Sequence, residues 1–453
     1  MGAFVILTAS AAAWAADEAR DGGEAPTRSR VSVSGLLAGR YEAVWNVNPA
    51  LDGPLDRNES TPLAYLTTTL SVRPTDALQT VVTLASRNVS RDTLDDGTLE
   101  DRWGTTRFID EAWVKAGGDA VWLKVGKQRL IVGRGLVLDS YQPAISANAD
   151  APPAGDASLQ LKAFGTRLDE DGALRRGQSL YAGGRIDISH PLAGRLSISI
   201  SRLWDRNALI PTLLPTNVSL GLRDAPFHAD DGSLVYWIVD GAAAGGRWSV
   251  DALAVTETGS LGGVLNTPLI PVPARRRSIT LFGKAAEIRA AYEVSDRLTV
   301  RAVGLYTSGD RRGPIDALRD QRYEAFVGIF PLVDTTNLFF RGGIDSAFKA
   351  GSPTASGVLG RGVLAGALTA EATIDRLALR VVAADLWSEF PATGGSERHY
   401  GVEIDTEWAY AVTEWLTARL EGDVLVPGSF YRSALDPNPE PVYKLAAGVD
   451  AAW

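Results

Sequence analysis

Along much of the chain apolar and polar residues alternate with a period of two, the spacing of a strand with one wet face and one apolar face. The clearest run is Arg30 to Val47, in which Val31, Val33, Leu37, Tyr41, Trp45 and Val47 alternate with Ser32, Ser34, Arg40, Glu42 and Asn46. The last thirteen residues, Pro441 to Trp453, repeat the pattern, with Tyr443, Leu445, Ala447, Val449, Ala451 and Trp453 on one face and Lys444, Gly448 and Asp450 on the other. Tyr400, Val402, Ile404, Thr406 and Trp408 oppose His399, Glu403, Asp405 and Glu407, and Leu416, Ala418, Leu420 and Val424 oppose Thr417, Arg419, Glu421 and Asp423. Several carboxylates on one strand face cannot sit unpaired in an apolar core, because burying each costs several kcal/mol. They must face water.

Connections between such runs alternate in length. Short ones fall at Arg73–Asp76, Gly117–Asp119, Pro152–Gly155, His190–Gly194, Ala244–Gly246, Val294–Arg297, Ile374–Arg376 and Val412–Glu414, rich in the Gly, Pro and Asp that tight turns require. Longer ones cover 48–60, 88–105, 133–141, 167–177, 205–232, 257–276, 309–356, 388–397 and 427–440. Eight short and nine long connections predict an all-β, transmembrane antiparallel up-and-down β-barrel of about 18 strands, with short periplasmic turns and long extracellular loops. The even count requires a strand over Gln142–Asp150. It also makes Pro441–Trp453 the antiparallel partner of Arg30–Val47, with Trp453 at the periplasmic interface and Lys444 and Asp450 in one lumen with Arg40 and Glu42.

Composition agrees with a strand-built membrane protein. Hydrophobic residues make up 45% of the 453 and charged residues 22%, as alternating lipid-facing and water-facing positions produce. No apolar run past the N-terminus approaches the ~18 residues of a membrane helix. Twelve Trp and twelve Tyr suit interfacial girdles. Residues 1–16, apolar and ending in Ala13-Trp14-Ala15-Ala16, read as a signal peptide without a basic n-region; 17–29 read as a short periplasmic segment and 30–453 as the barrel. Absence of cysteine excludes disulfides, thiolate metal sites and cysteine nucleophiles, and a net charge of −9 excludes the basic footprint of a nucleic-acid binder.

Val121 to Gly135, Val-Trp-Leu-Lys-Val-Gly-Lys-Gln-Arg-Leu-Ile-Val-Gly-Arg-Gly, resembles the alginate-export family of outer-membrane barrels, in which a strand ends in Gly-Arg-Gln before a Gly-containing loop; here the middle residue is Lys127. Tyr306-Thr-Ser-Gly-Asp310, with Phe326, Phe330-Pro331 and Gly343-Ile-Asp345, and Val426-Pro-Gly-Ser-Phe430 extend the resemblance. It implies a monomeric eighteen-stranded barrel that passes an anionic exopolysaccharide through an arginine-rich lumen narrowed by loops.

Alternation places Arg40, Lys124, Lys162, Arg185, Arg289, Arg301, Arg361, Arg380, Arg419 and Lys444 inward, together with the acids Glu42, Glu111, Asp187, Asp251, Glu287, Glu371, Glu403, Asp405, Glu407, Glu421, Asp423 and Asp450. Such a mixed lumen departs from an arginine-rich one. A basic constriction is expected from Lys124, Gln128 and Arg129, with Arg134 in the following loop. Strict alternation puts Lys127 and Arg129 on lipid, at about 2–4 kcal/mol for a midplane charge, so a bulge at Gly126 is expected to turn them inward. These cations either contact solute or brace the wall against acids such as Glu111.

Arg275-Arg276-Arg277 reads as an anion-attracting, lipopolysaccharide-contacting or solvated loop end, and Asp92, Asp95, Asp96, Glu100 and Asp101 as a solvated acidic loop without EF-hand spacing. His190, His228 and His399 lack a nucleophile arrangement beyond Ser396 near His399, so no catalytic site, metal or cofactor is expected. The expected function is an outer-membrane channel for a hydrophilic, anionic solute or exopolysaccharide; the alternatives are a porin for small-molecule uptake and a non-conducting scaffold. Expected partners are outer-membrane lipid, lipopolysaccharide and periplasmic export or modification proteins, with no nucleic acid.

Overall fold

A computed structural model describes residues 31–47, 57–88, 109–153, 155–168, 179–206, 209–214, 227–265, 275–311, 321–329, 331–340, 354–392 and 395–453. The signal-peptide and N-terminal-segment expectations, the acidic run Asp92–Asp101, Phe330 and Gly343–Asp345 lie outside these.

The strands in chain order are β1 (Val31–Val47), β2 (Arg57–Thr75), β3 (Leu78–Asn88), β4 (Ile109–Gly117), β5 (Val121–Val132), β6 (Leu138–Asp150), β7 (Ser158–Leu168), β8 (Ser179–His190), β9 (Gly194–Asp205) and β10 (Phe227–Gly245). They continue as β11 (Trp248–Leu265), β12 (Arg275–Ser295), β13 (Leu298–Thr307), β14 (Arg322–Tyr323), β15 (Val363–Ile374), β16 (Leu377–Trp387), β17 (His399–Ala411), β18 (Leu416–Pro427) and β19 (Val442–Ala452). β14 is a two-residue stub lying parallel to the start of β12. The other eighteen form one antiparallel sheet that closes on itself, each pairing with its chain neighbour. Closure leaves no open edge, as hydrocarbon demands of any strand-built span.

The seam falls where the alternation put it. β19 runs antiparallel to β1, with Tyr443 opposite Trp45 and Ala452 opposite Leu36. Beyond it Gly35 donates its N–H to the Trp453 carbonyl at 2.9 Å, and Trp453 returns the bond at 3.1 Å. The exposed large apolar residues of both strands belong to the predicted set, among them Val33, Tyr41, Trp45, Leu445 and Val449. Inside, Arg40 lies 3.9 Å from Asp450 and Lys444 3.9 Å from Glu42.

All eight short turns lie at one end of the barrel, and β6 covers the Gln142–Asp150 strand on which the even count depended. The predicted loop at 133–141 shrinks to residues 133–137, a 3-10 turn at Gly133–Gly135 between β5 and β6. β10, β11 and β12 reach 19, 18 and 21 residues, beyond the 9–11 that a bilayer needs, and absorb much of the loops predicted at 205–232 and 257–276. The alternation read at the start of β17 is broken. Leu386 pairs with Gly401 but Trp387 with His399, so Tyr400 is a bulged extra residue. Gly401, at φ +148°, accommodates the bulge, and Tyr400 turns into the core with Phe339, Phe430 and Tyr431 instead of outward with Val402.

Candidate functional site

Two segments leave the wall and meet inside the barrel. The first is the β5–β6 hairpin. β4 pairs with β5 only as far as Lys127, and β7 with β6 only as far as Ala144, so residues 128–143 have no strand beside them. Gly126 permits the departure: its φ is +128°, and a Cβ there would lie 2.2 Å from the Ala112 carbonyl oxygen. The tip lands on the β10–β12 wall, where a Cβ added at Gly133 would lie 3.6 Å from Ile238 and 3.7 Å from Val255. Arg134, at φ +52°, donates to Asp240 at 3.0 Å and to the Gly241 carbonyl at 3.1 Å, with Asp251 at 3.5 Å and Glu287 at 3.8 Å.

The second is the connection between β13 and β15. It is one of the connections expected on the long-loop side, with its course relative to the pore left open by the sequence, and its described parts run through the lumen. Val327 N–H donates to Glu257 at 2.8 Å and its carbonyl accepts from the Tyr236 hydroxyl at 2.8 Å, fixing one end to β10 and β11. Ile329 and Leu332 donate to Val137 and Gly135 of the hairpin at 2.7 and 3.0 Å. The other end reaches β17 and β18. Asn337 donates its backbone N–H to Asp405 at 3.1 Å and its side-chain amide to Glu421 at 2.9 Å, while Glu403 accepts from Leu338 and Phe339 at 2.5 and 2.9 Å. Hairpin and loop together form a neck that crosses the barrel.

The return of this loop is held by Arg361, which is buried and donates to the Asp310 carbonyl at 2.7 Å. Burial lowers the affinity of its guanidinium for its proton, with Asp310 opposing. Burial also pushes the Tyr323 phenol well above its ordinary value, and Asp310 and Glu257 add to the shift.

The structure corrects the expected constriction. The β5–β6 register runs unbroken from Val121 to Val132, so there is no bulge at Gly126, and Lys127 and Arg129 keep the parity of the outward Val125. The bulge lies instead in β4, where Thr83 pairs with Glu111 and Leu84 with Ile109, skipping Asp110. Lys127 and Arg129 escape lipid because the hairpin has bent away from the wall. Lys127 donates to the Ile109 carbonyl, and Arg129 makes a bidentate pair with Asp139, both bonds 2.7 Å. Gln128 is buried between Ala144 and Ser146, and Arg361 is a loop clamp. Gln128 and Arg361, both buried, do not line open lumen.

The remaining predicted positions face inward in mixed surroundings. Lys124 lies over the Trp113 ring at 4.3 Å, and Glu111 accepts the Arg129 backbone N–H at 3.3 Å. Lys162 and Arg185 approach Asp187 at 3.6 and 2.6 Å, and Arg289 joins Glu287 at 2.8 Å and Asp334 of the loop at 3.3 Å. Arg301 pairs with Glu371 at 3.0 Å and Arg380 with Glu407 at 2.7 Å; Arg419 pairs with Asp450. Lys444 is fully buried among Glu42, Glu421 and Asp423, so it braces the wall. On the short-turn side of the neck lies a cavity of about 530 Å³ by Arg195, Ser158 and Asp251, next to one of about 180 Å³ by Lys162, Arg195 and Asp187.

Sequence reading missed Asp240, Arg195, Glu257 and Asn337. Asp240 and Arg195 were legible, since Asp240 continues the inward period of Leu234, Tyr236 and Ile238. For Asn337 the signal was a polar run, Asp334 to Asn337, between Val333 and Leu338-Phe339-Phe340, too apolar for a loop in water. Of the histidines, His190 sits in a short turn, and His399 stacks on Trp387 and pairs with Asp385 at 2.9 Å on the outer face.

No protein-family model matches the chain, and no curated protein matches it in sequence. Solved structures match its fold. A BenF-like porin from Pseudomonas fluorescens Pf-5 superposes with a TM-score of 0.52 at 10% identity, covering 94% of this chain and 100% of that one. OccK9 (OpdG) of Pseudomonas aeruginosa gives 0.51 at 11% identity, covering 93% and 98%. OccAB4 of Acinetobacter baumannii gives 0.51 at 8% identity, covering 94% and 99%. These likenesses lend no specific support to the alginate-export resemblance. The fold this chain shares with these outer-membrane channels is the closed eighteen-stranded antiparallel β-barrel.

Proposed function

We propose that this barrel is a channel for small hydrophilic solutes that favours anions, in place of the exopolysaccharide exporter that the sequence resemblance implied. The size limit rests on the neck, which is tied to β10–β11 at Val327 and to β17–β18 at Asn337, and so stands in the way of a bulky polymer.

The observation that carries the anion preference is the burial of the ion pairs. The overall charge is −9, yet in most lumen pairs the base is the more exposed partner. Side-chain exposure is 46% for Arg301 against 31% for Glu371, 34% for Arg195 against 7% for Asp240, 33% for Arg289 against 3% for Glu287, and 25% for Arg185 against 7% for Asp187. Arg380 with Glu407 is even, and Asp251 is more exposed than Arg134. A solute in the lumen therefore meets guanidinium groups on β8, β9, β12 and β13 more than it meets carboxylates. Rings of such charge set selectivity in narrow pores.

Planar-bilayer recording across a KCl gradient tests the proposal. The expected result is a small unitary conductance with a reversal potential on the anion side, moving toward cations in Arg289→Gln and Arg301→Gln. A folded barrel without conductance would favour the scaffold reading, and passage of a polyuronate chain through the wild-type neck would restore the exporter.

A further inference from the structure

The outer face gathers its cations on one side of the barrel. Among the described residues, apart from Lys127 of β5, whose ammonium turns to the Ile109 carbonyl, the outward-facing Lys and Arg on wall strands paired on both sides are confined to β7, β9 and β12: Arg167, Arg202 and Lys284. β13, β15 to β19 and β1 to β3 show none in their described outward positions.

The pairing register places the three at one height. Arg167 is opposite Leu180, and Leu180 opposite Trp204; Arg202 lies two residues nearer the short turns than Trp204. Trp204 is opposite Ser233, whose row runs through Ser260 to Thr280, and Lys284 lies four residues nearer the short turns than Thr280. A shift of four residues over five strands is the stagger that tilted strands need to hold one level. Counted from the short-turn ends, Arg167 lies nine residues beyond Ser158, Arg202 eight beyond Gly194 and Lys284 eleven before Ser295. With strands tilted about 40° that is roughly 20–27 Å, the upper margin of an apolar belt about 25 Å tall. Below it the outward residues are apolar, such as Leu161, Ile198 and Ile288. Trp237, 54% exposed, marks the same margin.

Arg202 lies over the Trp204 ring at 5.1 Å and Lys284 over Phe282 at 5.3 Å, which holds both heads against the outer surface. The described outward carboxylate of β7 to β12 is Asp231, some way above them toward the long loops, and Glu324, beside β12 just after β14, is paired with Arg322 at 2.6 Å. The patch is thus cationic, aromatic-edged and level with the headgroups on the long-loop side. By the orientation rule for such barrels, that side is the outer leaflet.

We propose that Arg167, Arg202 and Lys284 form a docking surface for the phosphorylated headgroup of a lipopolysaccharide molecule, which seats on the β7–β12 side of the barrel. The acyl chains would lie on the apolar belt below while the phosphates meet the three cations, about 12 and 16 Å apart along the surface by strand spacing. The proposal is independent of what the lumen passes.

Native mass spectrometry of the folded barrel tests it, with bisphosphorylated lipid A, its dephosphorylated form and phosphatidylglycerol as probes. Each cation near a charged membrane surface contributes about five-fold in affinity. The triple variant Arg167→Gln, Arg202→Gln, Lys284→Gln is expected to bind bisphosphorylated lipid A about 100-fold more weakly, each single variant about five-fold, and Arg297→Gln at the short-turn end as wild type does. Wild type is expected to lose comparably on dephosphorylation of the lipid. Equal binding by the triple variant, or a wild-type barrel that retains dephosphorylated lipid A or phosphatidylglycerol equally well, would overturn the proposal. Folding is read from heat-modifiable mobility, and if the triple variant fails to fold, the single variants and the lipid series decide.

Discussion

Glu403→Gln should loosen the neck without breaking the barrel. The Glu403 carboxylate is fully buried and accepts two backbone N–H groups of the loop, from Leu338 at 2.5 Å and Phe339 at 2.9 Å. Bonds to a charged acceptor contribute about 1.5–3 kcal/mol each. Glutamine keeps the shape and one oxygen, but it turns an NH2 group toward the second donor, so one bond is lost and the other weakened. A loss of about 3 kcal/mol raises the population of the released loop roughly 150-fold. Asn337 still holds Asp405 and Glu421, and Val327 still holds Glu257, so the expected outcome is flicker and larger substates rather than a fully open pore. Single-channel recording reads this directly, with Glu414→Gln as a control because Glu414 lies exposed in a short turn away from the loop. If Glu403→Gln shows the conductance and noise of wild type, as Glu414→Gln should, the loop does not gate the path and the neck is only packing.

Three further outcomes follow from the same geometry. Arg134→Gln uncovers Asp240, Asp251 and Glu287 together, so the reversal potential should move toward cations. Gly126→Ala forces a Cβ to 2.2 Å from the Ala112 carbonyl at φ +128°, and should destabilise the barrel by about 1–3 kcal/mol in urea unfolding; an unchanged midpoint would place the hairpin bend elsewhere. Lys444→Met removes the buried cation from Glu42, Glu421 and Asp423, and should cost about 3–5 kcal/mol in the same assay, whereas Arg301→Gln, in an exposed pair, should cost less than about 1 kcal/mol.

The wall was legible because its rule is local. One side of each strand meets lipid and the other water, so the alternation in β1, β18 and β19 carries both the element and its facing, and short turns such as Gly117-Gly118-Asp119 fix the parity. What failed was whatever obeys a different solvent. The β5–β6 hairpin still alternates, but beyond Lys127 both of its faces meet protein, and alternation has no means of reporting that lipid has ended. Tyr400 was misplaced for a similar reason, because a single bulged residue reverses the facing of what precedes it. The β13–β15 loop was placed on the long-loop side by its length and its entry into the pore left open, although buried Phe326, Leu338, Phe339 and Phe340 have no place in a loop that stays in water.

The acidic wall shows why the loop and the barrel are one unit. Asp405 lies directly opposite Asp423, and Glu407 opposite Glu421, pairings that destabilise a sheet when both carry charge. In an open, water-filled lumen such a double row would gain nothing from being buried, yet Glu403, Asp405 and Asp423 are all nearly inaccessible. What faces them is the turn of chain from Asn337 to Phe339, whose amides are aimed at these carboxylates, together with Lys444 from β19 and Arg380 from β16. The like-charged row is therefore a socket, and the seated loop adds its amides to what Lys444 and Arg380 offset from the wall. The same coupling removes these acids from the solute path and leaves the guanidinium groups of the opposite wall to meet what enters.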